Sequence, residues 1–251
     1  MLKFDQLTTS YDGKLVLNRL SFTLTPHQLT VIVGKNGCGK STLVSCINQE
    51  QPYTGEITCF DRNLALLPAR ERAQQVAILP QVLTSPHITV EELVGFGRNP
   101  YLDFGRRPSK ADRKAVEDAI EAIGISPLRN RMVDHLSGGE RQKAYLAMIL
   151  AQKARVVVLD EPTTYMDAAY ESAFFQQMNA WKHQHKMTLL VVMHNLSQAL
   201  KYADRLIVLD HHTIQFEGSS QACFDSGVLE SVFQVQRHVF QENGEKFYFF
   251  T

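Results

Sequence analysis

The sequence of 251 residues lacks any apolar run long enough to cross a membrane. A spanning helix needs roughly 20 consecutive apolar residues, whereas the apolar segments Arg155–Asp160 and Thr188–Met193 have the length of single strands. Residues Met1–Lys14 mix charged and polar side chains and do not resemble a signal peptide. We therefore expect a cytoplasmic protein with no transmembrane segment of its own, unless another chain holds it at a membrane.

Paired cysteines and an excess of one charge are also missing. No C-x-x-C spacing occurs, so neither a zinc site nor a disulfide framework is indicated. The chain contains 26 basic and 26 acidic residues, whereas a protein that binds nucleic acid usually carries a clustered basic excess. This balance argues against DNA or RNA as the partner. The four cysteines are Cys38, Cys46, Cys59 and Cys223.

Alternating apolar and helical segments indicate an α/β core. The segments Leu29–Val33, Val156–Leu159 and Thr188–Met193 are apolar runs of strand length, and helical stretches are predicted at Lys40–Asn48 and at about residues 167–184. Strands that alternate with helices predict a largely parallel sheet that is covered by helices on both faces. The sequence therefore predicts an α/β fold.

Shorter strands are predicted around this core. The chain opens with β-like segments at Leu2–Leu7 and Leu20–Leu24, on either side of a turn at Tyr11–Lys14. A further strand candidate lies at Val76–Leu79, and Lys246–Phe250 is expected to form a small strand near the end of the chain. The last segment is too short to be a membrane anchor.

Residues 82–151 are predicted to form a mostly helical unit. Thr89 and Ser109 each precede an acidic residue by three positions, which is typical of a capped helix start. An apolar stripe at steps of four residues follows the second start, at Ala111, Ala115, Ala119 and Ile123. We therefore expect one domain, with an α/β core at 1–81 and 152–251 and a helical insertion between them.

A glycine-rich segment matches the phosphate-loop pattern G-x-x-x-x-G-K-[ST] between a predicted strand and a predicted helix. Glycines let successive backbone N–H groups surround a phosphate, and the following helix directs the positive end of its dipole at the same anion. Lys40 is predicted to reach the β- and γ-phosphates, and Ser41 to place its hydroxyl on Mg²⁺. The predicted nucleotide-binding residues here are Gly34, Lys35, Asn36, Gly37, Cys38, Gly39, Lys40, Ser41 and Thr42.

An acidic pair follows the predicted strand Val156–Leu159. A parallel strand brings Asp160 to the carboxyl edge of the sheet, where ligands of such folds bind, and Asp160 is predicted to hold Mg²⁺ there. Glu161 is the candidate base that orients or deprotonates the attacking water. Alone, such a pair more often marks a strand that meets a solvated turn, but the phosphate loop favours the catalytic interpretation. A GTPase is disfavoured, because no N-K-x-D segment that reads guanine occurs.

A serine–glycine segment points to a family. Leu136-Ser-Gly-Gly-Glu140 could by itself be a simple capping box, yet it resembles the signature motif of ABC ATPases and precedes the Asp160 strand as in that family. The resemblance implies that this helix start faces the γ-phosphate bound by a second copy. A homodimer, or a pair of related ATPase subunits, would then complete two ATP sites. The signature residues are Ser137, Gly138, Gly139 and Glu140.

Other landmarks of ABC ATPases follow in order. Tyr11 resembles the aromatic residue that stacks on adenine, and Gln81 matches the glutamine that contacts Mg²⁺ and the attacking water. Asp167 matches an aspartate at the dimer interface, and His194 matches the switch histidine that contacts the γ-phosphate and helps to hold Glu161. By themselves, a lone turn tyrosine and a histidine after a strand are more often structural.

The resemblance implies a P-loop NTPase (RecA-like) core with an N-terminal antiparallel β subdomain and an inserted α-helical subdomain. It implies ATP and Mg²⁺ as cofactors. The implied catalytic residues are Glu161, His194 and Gln81, and the implied metal ligands are Ser41, Gln81 and Asp160.

Within ABC ATPases the chain looks most like the subunits of ferric-siderophore, haem and vitamin B12 importers. This similarity rests on the segments 36–39, 97–101 and 161–165. It implies docking on two permease subunits at the cytoplasmic face of a bacterial inner membrane, together with a periplasmic or surface-anchored substrate-binding protein. A ferric siderophore is the expected cargo, and haem and vitamin B12 are the alternatives.

Three residues depart from the pattern of this group. Lys35 stands where proline is usual, Met166 where leucine is usual, and Asn195 where aspartate is common. None of these changes removes a catalytic functional group. ATP hydrolysis is therefore still expected.

Functions of other classes make different demands on the sequence. A soluble ABC ATPase that acts on ribosomes or DNA usually carries tandem ATPase halves, long insertions or basic arms, and an exporter more often carries fused membrane spans. This chain has one phosphate loop and no charge excess. A non-catalytic regulatory subunit should have lost Lys40, Glu161 or His194, and all three are present.

Cys38 allows two interpretations. Its place beside Lys40 and a helix N-terminus would lower the pKa of a thiol, which predicts a reactive group that nucleotide protects. The other interpretation is a small residue that the loop tolerates.

Overall fold

A computed structural model describes residues 1–103, 105, 107–163, 168–242 and 245–251. Within these residues the strands are β1 (Leu2–Tyr11), β2 (Lys14–Thr23), β3 (Leu29–Gly34), β4 (Thr54–Cys59), β5 (Arg62–Asn63), β6 (Val76–Leu79), β7 (Val156–Asp160), β8 (Thr188–Val192), β9 (Arg205–Asp210), β10 (Thr213–Gly218), β11 (Arg237–Glu242) and β12 (Glu245–Phe250). The helices are α1 (Lys40–Asn48), α2 (Ala69–Gln75), α3 (Val90–Phe96), α4 (Lys110–Ile123), α5 (Gly138–Gln152), α6 (Ala168–Gln184), α7 (Leu196–Tyr202), α8 (Ser220–Ser226) and α9 (Val228–Phe233).

The central sheet has six strands in the order β10-β9-β3-β8-β7-β6. The pairs β9–β3, β3–β8, β8–β7 and β7–β6 are parallel, and the edge pair β9–β10 is antiparallel. The largely parallel sheet predicted from the sequence is confirmed. Because β6, β7 and β8 are neighbours with the same direction, the segments that follow them leave the sheet at one edge.

Both faces of this sheet are covered, which explains its continuous apolar strands. In β7, Val157 and Leu159 belong to one buried cluster, and Val156 and Val158 belong to the other. Alternation along the strand therefore places Asp160 on the Val156 face. That face is packed against α1, whose apolar residues belong to the same cluster.

A second sheet, in the order β2-β1-β4-β5, is antiparallel throughout its described pairs. Its core includes Phe4 and Phe22, whose rings stack with their centroids 4.1 Å apart. The predicted N-terminal antiparallel unit is confirmed, but β1 and β2 extend to the turn itself and are longer than the segments Leu2–Leu7 and Leu20–Leu24. Bulges interrupt the regular register of the β1–β2 pairing.

Helices α3, α4 and α5 pack on one another beside the central sheet. Thr89, Ser109 and Ser137 cap the three helices, each with the reciprocal bonds of a capping box. The predicted helix starts at Thr89 and Ser109 therefore agree with the structure. The last helix, α5, ends at Gln152, one residue beyond the predicted limit of the helical insertion.

Several short elements were not predicted. Helix α2 buries none of its residues, and Gln74 Nε2 and Arg70 Nε instead donate to the carbonyl oxygen of Pro100 at 2.6 and 2.8 Å. A helix without an apolar face gives no periodic signal in the sequence. The predicted strand at Lys246–Phe250 is present as β12, and it pairs with β11, which was not predicted.

Among the described residues, no helix combines the length and the apolar character that crossing a bilayer requires.

Arg98 joins the three helices of the helical layer. Its guanidinium is buried, with Nε donating to Asp112 Oδ1 at 3.0 Å and a terminal nitrogen donating to the carbonyl oxygen of Ala151 at 2.7 Å. We expect Arg98→Met to lower the free energy of unfolding by about 3 kcal/mol, because removal of one partner leaves a buried carboxylate without its ion pair. Denaturant titration measures this loss.

The control is Arg113→Met. Arg113 is exposed and donates to the carbonyl oxygen of Pro108, so its loss should change the unfolding free energy by no more than about 0.5 kcal/mol. Equal losses in the two variants would contradict the role given to Arg98.

Candidate nucleotide-binding and catalytic site

The loop between β3 and α1 passes too close to its neighbours for side chains at two positions. A Cβ on Gly34 would lie 2.4 Å from the carbonyl oxygen of Leu209, and one on Gly39 would lie 2.5 Å from Leu17 Cδ2. Gly39 also has a φ of 103°, in the left-handed region. The loop therefore requires glycine at both ends, and its backbone lies open for the close approach of an anion.

Lys40, the first residue of α1, places a positive charge inside this loop. Its side chain is buried, and Nζ donates to the carbonyl oxygens of Gly34 and Lys35 at 2.7 and 3.0 Å. The ammonium therefore lies against the loop backbone, within the region predicted for the β- and γ-phosphates. Ser41 and Thr42 follow in the first turn of α1, with Ser41 exposed. Lys35 and Asn36 lie at the more open side of the loop.

Asp160 ends β7 as a buried carboxylate that is 4% exposed. Burial raises the pKa of this carboxyl, while a hydrogen bond from Ser41 and the charge of Lys40 act in the opposite direction. Its Oδ1 atom has no hydrogen-bond partner among the described residues. A buried carboxylate oxygen without a partner, beside a serine hydroxyl, is a set of hard oxygen donors that fits Mg²⁺.

Glu161 follows at the edge of the sheet where β6, β7 and β8 end. Gln81 Nε2 donates to Glu161 Oε2 at 2.6 Å, and His194 Nε2 lies in contact with Glu161 Oε1. The backbone N–H of Glu161 donates to the carbonyl oxygen of Val192 at 3.0 Å. The structure thus brings together the three residues predicted to be catalytic, each from the end of a different neighbouring strand.

A cavity of about 250 Å³ opens beside Glu161 and His194. Its far wall contains Glu171 of α6, which accepts hydrogen bonds from Thr163 Oγ1 at 3.0 Å and from Asn195 Nδ2 at 3.3 Å. Asn195 also caps α7 by accepting from the N–H of Gln198. Asparagine at this position supplies both a donor and an acceptor, whereas an aspartate would bring a second carboxylate against Glu171.

The signature segment forms a second polar group at the start of α5. Glu140 Oε2 accepts from the backbone N–H and the hydroxyl of Ser137, both at 2.9 Å, and Arg131 donates to Glu140 Oε1 at 3.1 Å. The backbone N–H of Ser137 is the main cause of a lowered pKa at Glu140. Ser137 is exposed, and Gly138 and Gly139 follow in the first turn. This group therefore presents a helix start at the surface.

Of the remaining predicted residues, the structure describes Tyr11 but not Asp167. Tyr11 ends β1 opposite Lys14 of β2, and the residue is 63% exposed. Asp167 lies outside the described residues, as does Met166.

Sequence reasoning missed Glu171 and Gln142, which contact the segment after β7. Gln142 Nε2 donates to the carbonyl oxygen of Pro162 at 2.5 Å. The available signal for Gln142 was a polar residue on the largely apolar helix that follows the signature segment.

A glycine-rich loop with a buried lysine, joined to an acidic strand end, defines the class of P-loop nucleoside triphosphatases. The chain belongs to the ABC transporter family, whose model, described as "ABC transporter", matches residues 17–164.

Curated relatives of the chain are ATP-binding proteins of transport or import systems. The chain is 35% identical over 234 residues to the ferric enterobactin transport ATP-binding protein FepC of Escherichia coli (strain K12), covering 92% of this chain and 86% of the relative. It is 33% identical over 237 residues to the petrobactin import ATP-binding protein FpuD of Bacillus anthracis, covering 94% and 87%. It is 32% identical over 239 residues to the hemin import ATP-binding protein HmuV of Shewanella denitrificans, covering 92% of each chain.

Solved structures share the fold. A chain of an inward-facing ABC transporter superposes with a TM-score of 0.86 at 23% identity, covering 100% of this chain and 96% of that one. The protein cbiO1 of Clostridium perfringens, part of the transporter complex cbiONQ, gives a TM-score of 0.78 at 23% identity, with coverage of 93% and 94%. The predicted P-loop NTPase fold is thus confirmed.

Of the two interpretations of Cys38, the thiol with a lowered pKa does not agree with the structure. The thiol is buried, and desolvation raises its pKa more than Lys40 lowers it. Helix α1 and Lys40 attract a thiolate, but the loop turns the side chain of Cys38 inward, where the sulfur would lie close to any Cβ on Gly34. The interpretation as a small residue that fits the loop agrees with the structure.

We expect native protein to react with maleimide at Cys38 markedly more slowly than glutathione does at pH 7. Because the pKa of this thiol is raised, the reactive thiolate should form only as the pH rises beyond the ordinary thiol range. Mass spectrometry of the labelled peptides follows the reaction with and without MgATP.

Labelling in guanidinium chloride is the control, since unfolding exposes all four buried thiols. Rapid labelling of Cys38 in the native protein near neutral pH would overturn this view of the loop.

Proposed function

We propose that this chain is the ATP-binding and ATP-hydrolysing subunit that powers an ABC importer of ferric siderophores. The observation that carries the proposal is the carboxylate of Glu161, held by Gln81 and His194 beside the buried Asp160. A carboxylate oriented by two side chains, next to a loop built for phosphate, has the position that a base for ATP hydrolysis needs.

Glu161 would accept a proton from a water in the cavity that it shares with His194. His194 and Gln81 each contact one of its two carboxylate oxygens, so both groups fix the direction from which the carboxylate meets that water. The ammonium group of Lys40 would stabilise the negative charge of the β- and γ-phosphates. The exposed Tyr11 would stack on adenine. The remaining loop residues would bind phosphate through their backbone N–H groups.

Asp160, Ser41 and Gln81 would hold Mg²⁺. The ion would supply charge neutralisation on the phosphate oxygens. The Oδ1 atom of Asp160, which has no hydrogen-bond partner in the part of the chain that the structure describes, supports this assignment.

A second copy would complete each site. The exposed Ser137 and the N–H groups of Gly138 and Gly139 offer a receptor for an anion at a helix start, and Glu140 holds that start in shape. We propose that Asp167 contacts the same interface. The two copies would close around two ATP molecules, and closure would depend on each γ-phosphate, which would contact both copies.

The cargo is inferred from the relatives, which act in enterobactin and petrobactin transport and in hemin import. A ferric siderophore is the proposed cargo, and haem or vitamin B12 is the second candidate, supported by the hemin relative. The partners would be two permease subunits at the cytoplasmic face of the inner membrane and a substrate-binding protein outside it. We propose the helical unit at 82–151, inserted between core segments 1–81 and 152–251, as the part that moves on ATP binding.

We expect Glu161→Gln to bind MgATP as the wild type does and to hydrolyse it slower by a factor of roughly 10² to 10⁴, because the base is lost while the phosphate loop is untouched. Phosphate release measures turnover, and equilibrium binding of labelled ATP measures affinity. Size-exclusion chromatography with MgATP should show the variant as a dimer.

Glu217→Gln is the matched control. Glu217 lies on the edge strand β10 and pairs with Arg205 of the neighbouring strand β9, away from β7, so its loss should leave turnover unchanged. Undiminished hydrolysis by Glu161→Gln would remove the basis of the proposal.

We expect cells that lack this chain to lose energy-dependent uptake of an iron-loaded siderophore, and to regain it with wild-type protein but not with Glu161→Gln. Uptake of radiolabelled iron measures the effect, with haem and cobalamin tested in parallel. Loss of haem or cobalamin uptake alone would replace the siderophore by the second candidate, and normal uptake of all three would contradict an import role in this group.

A further inference from the structure

Gln142 is a buried polar side chain on helix α5, the helix that begins with the signature segment. It is 4% exposed. Its Nε2 donates at 2.5 Å to the carbonyl oxygen of Pro162, the residue directly after Glu161. A buried amide group needs hydrogen-bond partners, because an unsatisfied polar group in the interior is destabilising. Here one of those bonds reaches the segment that carries the proposed catalytic base.

The backbone at Glu161 needs such support. Glu161 has a φ of 50°, in the left-handed region that residues other than glycine rarely occupy. Such a conformation persists where the surrounding structure holds it. The backbone N–H of Glu161 donates to the carbonyl oxygen of Val192 in β8. The ring of Pro162 restricts the φ angle of Pro162 itself, and Gln142 donates to the carbonyl oxygen of Pro162.

Helix α5 also holds the segment that follows Gln81. Tyr145, one turn further along the same helix, donates through its hydroxyl to the carbonyl oxygen of Thr84 at 3.1 Å. Arg141 donates to Ser85 Oγ at 2.6 Å. Helix α5 therefore contacts both segments that the hydrogen bond between Gln81 and Glu161 joins: the segment after Gln81 and the segment after Glu161.

We propose that Gln142 is a positioning residue for Glu161, and that it ties the orientation of the signature helix to the orientation of the base. This inference rests on the proposed function, in which Glu161 is the base. Any rotation of α5 changes the direction of the Gln142 bond and moves the Pro162 peptide. Displacement of a catalytic group by about 1 Å can cost a factor of about 10² in rate.

The first test is Gln142→Met, which keeps the length of the side chain and removes the donor. We expect kcat for ATP hydrolysis to fall by a factor of roughly 10 to 10², while the KM for ATP stays within about twofold because the phosphate loop is untouched. The matched control is Gln152→Met. Gln152 lies on the same helix and donates to the carbonyl oxygen of Ala73 at 2.6 Å, away from Glu161, so its loss should leave kcat unchanged.

The second test is Gln142→Glu, which separates positioning from a merely structural role. Only the protonated carboxyl can donate to the Pro162 carbonyl, and burial raises the pKa of such a group. The ratio of its kcat to that of the wild type should therefore rise as the pH is lowered from about 8 to about 6. Because every other titrating group is shared by the variant and the wild type, the ratio removes the contribution of those groups. The same ratio for Gln142→Met should stay flat.

Each outcome decides the proposal. A kcat within twofold of the wild type for Gln142→Met, with hydrolysis lost in Glu161→Gln, sinks this inference and leaves the proposed function intact. Hydrolysis retained in Glu161→Gln removes the proposed function itself. If Gln142→Met does not fold, the pH series of Gln142→Glu decides alone, and a flat ratio overturns the proposal.

Discussion

The contact between Glu161 and its two neighbours, Gln81 and His194, is the interaction on which the site depends. The three residues follow β7, β6 and β8, which are adjacent in the sheet. Parallel pairing brings those strand ends to one edge, and the buried apolar faces of β7 and β8 keep that edge in place. The site is therefore a product of strand order, and a change in pairing would separate its residues even if every one of them remained in the sequence.

Buried polar groups surround this contact and make it sensitive to what binds. Within the described ranges, Oδ1 of Asp160 has no hydrogen-bond partner, and Lys40 donates to the carbonyl oxygens of its own loop. In a low-dielectric site, both groups gain much from a ligand of opposite charge. In the proposed function, a metal-bound triphosphate would offer a cation to Asp160 and an anion to Lys40, so that one ligand would satisfy both groups. The nucleotide would then order the site.

In the proposed function, the helical layer would connect the site to a partner chain. Its helices are joined by the buried guanidinium of Arg98, and α5 carries an exposed capped start at one end and Gln142 further along. In our proposal, these contacts make α5 a link between a surface where a second chain would bind and the peptide beside Glu161. Most of these contacts are single hydrogen bonds between segments that are distant in sequence. Each contributes modestly to stability, but together they fix the orientation of α5 relative to the segment at Glu161.

The sequence by itself determined the phosphate loop, the acidic strand end and the capped helix starts, because each is a local pattern with a local physical cause. It also indicated Gln81 and His194 through resemblance. It did not reveal the burial that raises the pKa of the Cys38 thiol, the pairing of Asn195 with Glu171, or the reach of Gln142 to Pro162. Those facts depend on which distant segments become neighbours, and only tertiary packing decides that. The helix α2, held by bonds to Pro100 and not by an apolar face, escaped prediction for the same reason.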